Sequence, residues 1–379
     1  MSESHILIKN AEVIDPARNI QGRQDIHILN DLIASPDTPV SARTEIIDAK
    51  DCYLFPGLID YHAHVFYGGT HSSVPPDLAS LPFGVTTIVD AGSAGSANVE
   101  SFLRDQIPRS LVRIKAFVTA YPGGQLWQEE NHNPDYFDFP RLQQLFRRYP
   151  ETLLGLKLKQ ERAVVGELGS RPFLRAVEMA TQLDCRVAVH MTDPVQTTEQ
   201  LLEIFRNGDV FAHCFHGKGD TLLDDNGRVK SAARQARARG VIFDCAHGRN
   251  NFSQRVAQLA VADDFLPDII SSDLSALTLN RPPVFGLPWV MSKFLAMGMS
   301  LFDVVERCTA RPAALLGMSQ QIGTLLPGSC ADVALFRLEK RDVSFTDVHQ
   351  HTLTGSQLLV PQLTLKSGMP LWRANFGLH

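Results

Sequence analysis

The sequence predicts an α/β fold: a (β/α)8 TIM barrel carrying a small β domain built from both chain ends. Three observations carry this. Eight short apolar runs recur at intervals of about 25 to 40 residues, with helical patterns between them. No G-x-G-x-x-G follows the first run, which makes an open doubly wound sheet the weaker alternative. Both chain ends, by contrast, read as short strands separated by turns.

The first strand-like pieces are "HILIKNAEVID", "DIHIL" and "TEIIDA", divided by the turn-rich "DPARNIQG" and "SPDTPVSA". From residue 55 the rhythm changes. The runs "GLID", "VTTIVD", "VRIKAFV", "LLGLKL", "CRVAVH", "DVFAHC", "GVIFDC" and "PDIISSD" alternate with helix candidates such as "SANVESFLRDQI", "RPFLRAVEMATQLD", "TTEQLLEIFRNG" and "VKSAARQARARG". Continuous apolar strands flanked by helices fit a parallel sheet covered on both faces, and eight of them fit a closed barrel. "SLFDVVERCTARPAALLG" then reads as a helical pair, before strand-like sequence returns in "ADVALF", "VSFTDV" and "QLTLKSG". Residues 1–54 and 321–379 are therefore expected to form one β-sandwich-like domain, and residues 55–320 the barrel.

A chain of 379 residues can bury a large core, and 44% hydrophobic with 20% charged residues is ordinary globular composition. A net charge of -5 gives no electrostatic reason to expect nucleic acid. No apolar run approaches the roughly 20 residues of a membrane span. "MSESHILIKNAEVID" has no signal-peptide apolar region, so a cytoplasmic protein is expected. Its partner would be a small molecule, and the composition is compatible with a homo-oligomer. The six cysteines (Cys52, Cys185, Cys214, Cys245, Cys308 and Cys330) form no C-x-x-C pair and are expected to be reduced and structural.

Barrel active sites gather at the carboxyl ends of the strands. Those ends carry His62 and His64, Asp90, Lys157 and Lys159, His190, His213, His247 and Asp273. Five of thirteen histidines thus fall at one end of the predicted barrel. His62 and His64, two apart on a strand, face the same side. Each histidine alone reads as a core or rim residue, and a polar strand end meeting solvent would explain the pair. Four histidines and an aspartate together suit zinc or another borderline divalent metal. A lysine inside "LLGLKLK" is costly to bury as a cation. Reaction with carbon dioxide would turn it into a carbamate able to bridge two ions. Lys157 and Lys159 share a strand face, so spacing does not choose between them.

"FPGLIDYHAH", "GLK", "VAVH", "FAHC", "SSD" and the tail "RPAALLG…IGTLLPGSCADVALF" resemble the amidohydrolase superfamily over nearly the whole chain. "HVFYGGT", "GSAG", "AHG" and "MSKFL" resemble its dihydroorotase-like amidohydrolase/deacetylase branch. The resemblance implies a binuclear site: His62 and His64 at the buried ion, His190 and His213 at the exposed one. It implies carbamylated Lys157 as the bridge and Asp273 as ligand and proton shuttle. His247 would contact the substrate. For Lys159 a side chain reaching solvent is expected.

Two departures narrow the chemistry that the resemblance implies. Dihydroorotases carry an arginine two residues after H-x-H, where this chain has Phe66. Single-metal deaminases of the superfamily show H-x-x-E, whereas "HMTD" and "HCFH" stand here. The branch includes deacetylases of N-acyl amino acids and of acyl esters of α-hydroxy acids, while hydrolysis of cyclic amides is the alternative. A substrate carboxylate would need a cation, for which Arg249 and Arg162 are the candidates. A non-catalytic scaffold relative would be expected to lack ligands, and no ligand position of the motif set is missing.

Overall fold

The computed structural model describes residues 4–126, 130 and 132–374. β1 (His5–Lys9), β2 (Glu12–Asp15), β3 (Ile20–Arg23), β4 (Ile26–Leu29), β5 (Leu32–Ile33), β6 (Glu45–Asp48) and β7 (Tyr53–Pro56) follow in quick succession. Asparagines in the left-handed region, Asn10 at φ 66° and Asn30 at φ 56°, turn the chain between them. One sheet has the order β5-β4-β1-β6, and β1 runs antiparallel to β4 but parallel to β6. A second sheet joins β2, β3 and β7 to strands from the other chain end: β15 (Val333–Thr346), β16 (Thr352–Lys366) and β17 (Met369–Arg373). Ile8, Val13, Leu54, Val333 and Leu363 meet in the core between them.

"ADVALF" and "VSFTDV" belong to one long strand rather than two. The charged Arg337–Asp342 stretch between them stays largely on the β16 ladder, with a register shift between Lys340 and Val343. Backbone pairing continues there although none of these side chains is buried and half are exposed, a pattern that apolar runs cannot signal.

The barrel strands are β8 (Leu58–Ala63), β9 (Val85–Gly95), β10 (Arg113–Thr119), β11 (Leu153–Lys159), β12 (Arg186–His190), β13 (Val210–Ala212) and β14 (Ile242–Asp244). They form one parallel sheet in sequence order. Helices such as Arg171–Gln182 lay Phe173, Ala176 and Met179 onto it. The eighth run, "PDIISSD", closes the barrel without forming a ladder. Single bridges join Ile269 to Asp244 and Leu274 to Ala63. The backbone N–H groups of Cys245, His247 and Gly248 donate to Ile269, Ser271 and Ser272 on one side. On the other, Asp273 N donates to His62 O at 2.7 Å and His64 N to Leu274 O at 2.9 Å.

Side chains occupy the missing ladder positions. Asp60 accepts from Ser272 N at 3.0 Å and from the Ser272 hydroxyl, and Asp268 accepts from Phe243 N at 2.9 Å. Asp273 then bends into the left-handed region at φ 50°.

Burial pushes the Asp60 carboxyl up to about 7, against the opposing hydrogen bonds from Ser272. Removing that carboxyl strands two buried donors, each worth about 1–3 kcal/mol when unpaired. Asp60→Ala should therefore lower the unfolding free energy by at least about 1 kcal/mol in urea titration. A variant as stable as the parent would contradict this role in closure.

Candidate metal centre

Four imidazoles converge at the carboxyl ends of β8, β12 and β13. The His62 and His64 rings lie 6.1 Å apart, His62 and His213 5.2 Å, and His190 and His213 4.2 Å. Beside them Lys157 Nζ stands 3.1 Å from His62 Nε2, and Asp273 Oδ1 is 3.2 Å from His64 Nε2. All six residues line one cavity of about 440 Å³. Within it, one ligand atom each from His62, His213 and Asp273 lies within 4.8 Å of the others.

The outer nitrogens show which way the lone pairs point. His62 Nδ1 lies 3.1 Å from Asp244 Oδ2, and His213 Nδ1 lies 2.6 Å from the Ala246 carbonyl. Both partners are acceptors, so both Nδ1 atoms carry the proton. For His64, Nδ1 meets Ser93 Oγ at 2.9 Å, while that hydroxyl donates to Asp90 Oδ2 at 2.8 Å. Its single proton is committed to Asp90, so His64 Nδ1–H donates to it. This network assigns the tautomers, and it leaves three Nε2 lone pairs facing inward. His190 Nε2 is buried with no hydrogen-bond partner among the described residues, and the Glu161 carboxylate stands 3.6 Å from it.

A lone pair on His64 and a carboxylate oxygen of Asp273 do not rest 3.2 Å apart without a proton or cation between them. Imidazoles tied at one nitrogen and open at the other are the usual supported metal ligands. Burial reinforces this by disfavouring charge. It pushes His62 and His190 well below the ordinary histidine range and His213 down to about 3. Burial likewise lowers Lys157 to about 8 and raises Asp244 to about 6. The residues present fit divalent metal.

Other expected positions fall differently. Arg249 is exposed and lines the cavity. Arg162 does not line it: the short helix Arg162–Val165 turns its guanidinium toward Pro194 O, at 3.1 Å, with Asp193 at 3.7 Å. His247 is fully buried and off the cavity wall. Its Nε2 meets Lys293 Nζ at 2.6 Å, and its ring stacks 4.2 Å from Phe252. The expected substrate contact is not what this placement offers. Lys159 lines the cavity but pairs with Glu130 instead of reaching solvent. Phe66 packs on Phe102 and over Gly69, away from the cavity.

Sequence reasoning missed the support. Asn251 donates to Asp273 Oδ2 at 3.2 Å and accepts from Thr192 at 3.0 Å. Ser271 donates to Asp244. Lys218, five residues past His213, also lines the cavity, and its short spacing from that histidine is the one signal the sequence offered for it.

Fold and site define a metal-dependent hydrolase on a barrel scaffold. Comparison with known proteins agrees. A protein named deacetylase from Agrobacterium fabrum is 35% identical over 327 residues, covering 85% of this chain and 79% of that one. Another so named, from Enterococcus faecalis, is 27% identical over 96% of this chain and 98% of its own. A solved dihydroorotase superposes with a TM-score of 0.89 at 30% identity, covering 98% of each chain. A solved adenine deaminase gives 0.90 at 26%, covering 98% of this chain and all of the other. No family model matches the chain. The chain belongs to the amidohydrolase superfamily, in its dihydroorotase-like branch.

Removing an outer partner should loosen the metal without touching a ligand. Ser93→Ala frees the His64 ring and should weaken divalent-metal binding by about 10–100-fold, read by competition with a chromogenic chelator. Unchanged affinity would remove Ser93 from the site.

Proposed function

We propose that this chain is a binuclear hydrolase that cleaves the acyl bond of an N-acyl amino acid or of an acylated α-hydroxy acid. The observation that carries the reading is the convergence of inward-facing imidazole lone pairs on Asp273 and Lys157. His62 and His64 would hold the buried ion, His190 and His213 the exposed one, with Asp273 as a further ligand and carbamylated Lys157 as the bridge. Two divalent ions, most simply zinc, would supply hydroxide from bound water near neutral pH and polarise the substrate carbonyl.

The chain's own groups do the rest. Asp273 takes a proton from the attacking water and delivers it to the leaving nitrogen or oxygen. Asn251 keeps that carboxylate turned by donating to Oδ2, while Oδ1 faces the histidines. Lys157 is fully buried, and its lowered affinity for protons makes the neutral amine accessible near pH 8. Only the neutral amine attacks carbon dioxide, and the product is an anion where a cation would be costly. Arg249 at the rim would receive the substrate carboxylate. Leu277 is the one apolar side chain among the described residues of the cavity wall, which favours a short acyl group such as acetyl.

Hydrolysis of a cyclic amide is the second reading, favoured by the likeness to a solved dihydroorotase. Phe66, buried where dihydroorotases carry arginine, weighs against it. No helix among the described residues is long and apolar enough to cross a membrane. All six cysteines are unpaired, which supports a reducing, cytoplasmic setting.

Lys157→Ala should lose most bound metal and activity, and a short carboxylic acid in solution should partly restore both. Carbamylation of the metal-free parent, followed by carbon-13 resonance at fixed dissolved carbon dioxide, should quicken as pH rises toward about 8 and level off above it. Full metal content in Lys157→Ala, or a dead Lys159→Ala beside it, would move or remove the bridge.

Asp273→Asn should lower kcat by at least about 10²–10⁴-fold, the usual span of a general acid–base step. Turnover of an identified substrate within a few-fold of the parent would exclude Asp273 as the shuttle.

A further inference from the structure

The cations around the cavity differ in one respect: whether a protein group already satisfies them. Lys159 is paired with Glu130, and Lys157 lies deep beside His62. Arg162, outside the wall, is taken by Pro194 and Asp193. Lys218 and Arg249 also line the cavity, are exposed, and form no side-chain hydrogen bond or ion pair with any described residue. Glu161, which lines the same cavity, feels the Lys218 charge but makes no ion pair with it.

Neither cation sits on a loose segment. Lys218 lies between two glycines packed hard against neighbours. A Cβ on Gly217 would press on Ser253 and His349, and one on Gly219, at φ +64°, on Asp193. His216 Nδ1 donates to the Lys218 carbonyl at 3.0 Å. Arg249 follows Gly248, at φ +58°, where a Cβ would overlap Asp273 Oδ2. The chain therefore passes directly against the Asp273 carboxylate before presenting Arg249. These segments leave β13 and β14, which are hydrogen-bonded neighbours, so both cations rise from one sector of the rim.

We propose that Lys218 and Arg249 form a two-cation clamp for the carboxylate of the substrate, which makes a free carboxylate next to the scissile acyl group a requirement for good substrates. This rests on the acyl-hydrolase reading above and adds Lys218 as the second cation beside Arg249. Arg249 supplies a planar fork and Lys218 a mobile point charge. Neither loses a protein partner on binding, so substrate desolvation is not opposed by breaking an existing ion pair.

The test uses the zinc-loaded protein with N-acetylglycine, N-acetylalanine and O-acetyllactate, each beside its uncharged carboxamide. Initial rates and calorimetric binding are both measured. The clamp predicts a preference for the carboxylate in kcat/KM. Lys218→Met and Arg249→Met should each cut that preference about 10- to 100-fold, the worth of one charge-assisted hydrogen bond, chiefly through KM. Equal use of carboxamides by the parent, or an undiminished preference in both variants, would overturn the clamp while leaving the hydrolase intact. Carboxylate-selective binding that the variants lose, without turnover of any compound, would support the clamp and count against acyl hydrolysis. Neither binding nor turnover of any of them would overturn both.

Discussion

Four imidazoles and a carboxylate share one buried space, and each histidine whose outer partner is defined turns its lone pair inward. That arrangement concentrates acceptors that a positive centre would satisfy together: among the described residues Lys157 reaches His62 Nε2 at 3.1 Å and Asn251 reaches Asp273 Oδ2, but no hydrogen bond reaches His190 Nε2. The surrounding structure maintains it. Asp90 fixes Ser93, which fixes His64; Ser271 fixes Asp244, which fixes His62; and the Ala246 carbonyl holds His213. These supports come from strand ends and loops spread around the barrel, so the closed barrel is what holds the ligands together.

The irregular closure belongs to the same constraint. A regular eighth strand would continue alternating through Asp273 and would offer its amides to neighbouring strands. Here Asp60 and Asp268 take part of that role, and the chain turns at Asp273 to bring its carboxylate to His64. Backbone regularity is given up at the position where the carboxylate is needed, a trade seen where strain collects at functional sites. Lys293, buried under His247, ties the loop after β14 to the helix Leu287–Ala296.

Much of this was legible in the sequence. Period-two alternation put His62 and His64 on one face, and the barrel pattern brought in Lys157, His190, His213 and Asp273 from distant positions. Other features depended on information that spacing does not carry. Lys157 and Lys159 share a face, yet one strand repeat of about 6–7 Å separates a buried amine beside His62 from one that reaches Glu130. His247 was expected over the site, but Ala246 at φ 38° and Gly248 at φ 58° turn the chain and send its ring toward Lys293. Arg162 lies three residues past Lys159, the last position where strand periodicity constrains direction. The single long strand Val333–Thr346 was hidden because its middle is charged and held by backbone pairing rather than burial.

Anomalous diffraction at the zinc edge, from crystals grown with zinc and bicarbonate, tests the central claim most directly. The account predicts two peaks in the cavity, one between His62 and His64 and one between His190 and His213. Lys157 density should be extended between them, with Asp273 in contact. Peaks absent from this cavity in zinc-replete crystals, or a single ion beside an unmodified Lys157, would contradict it.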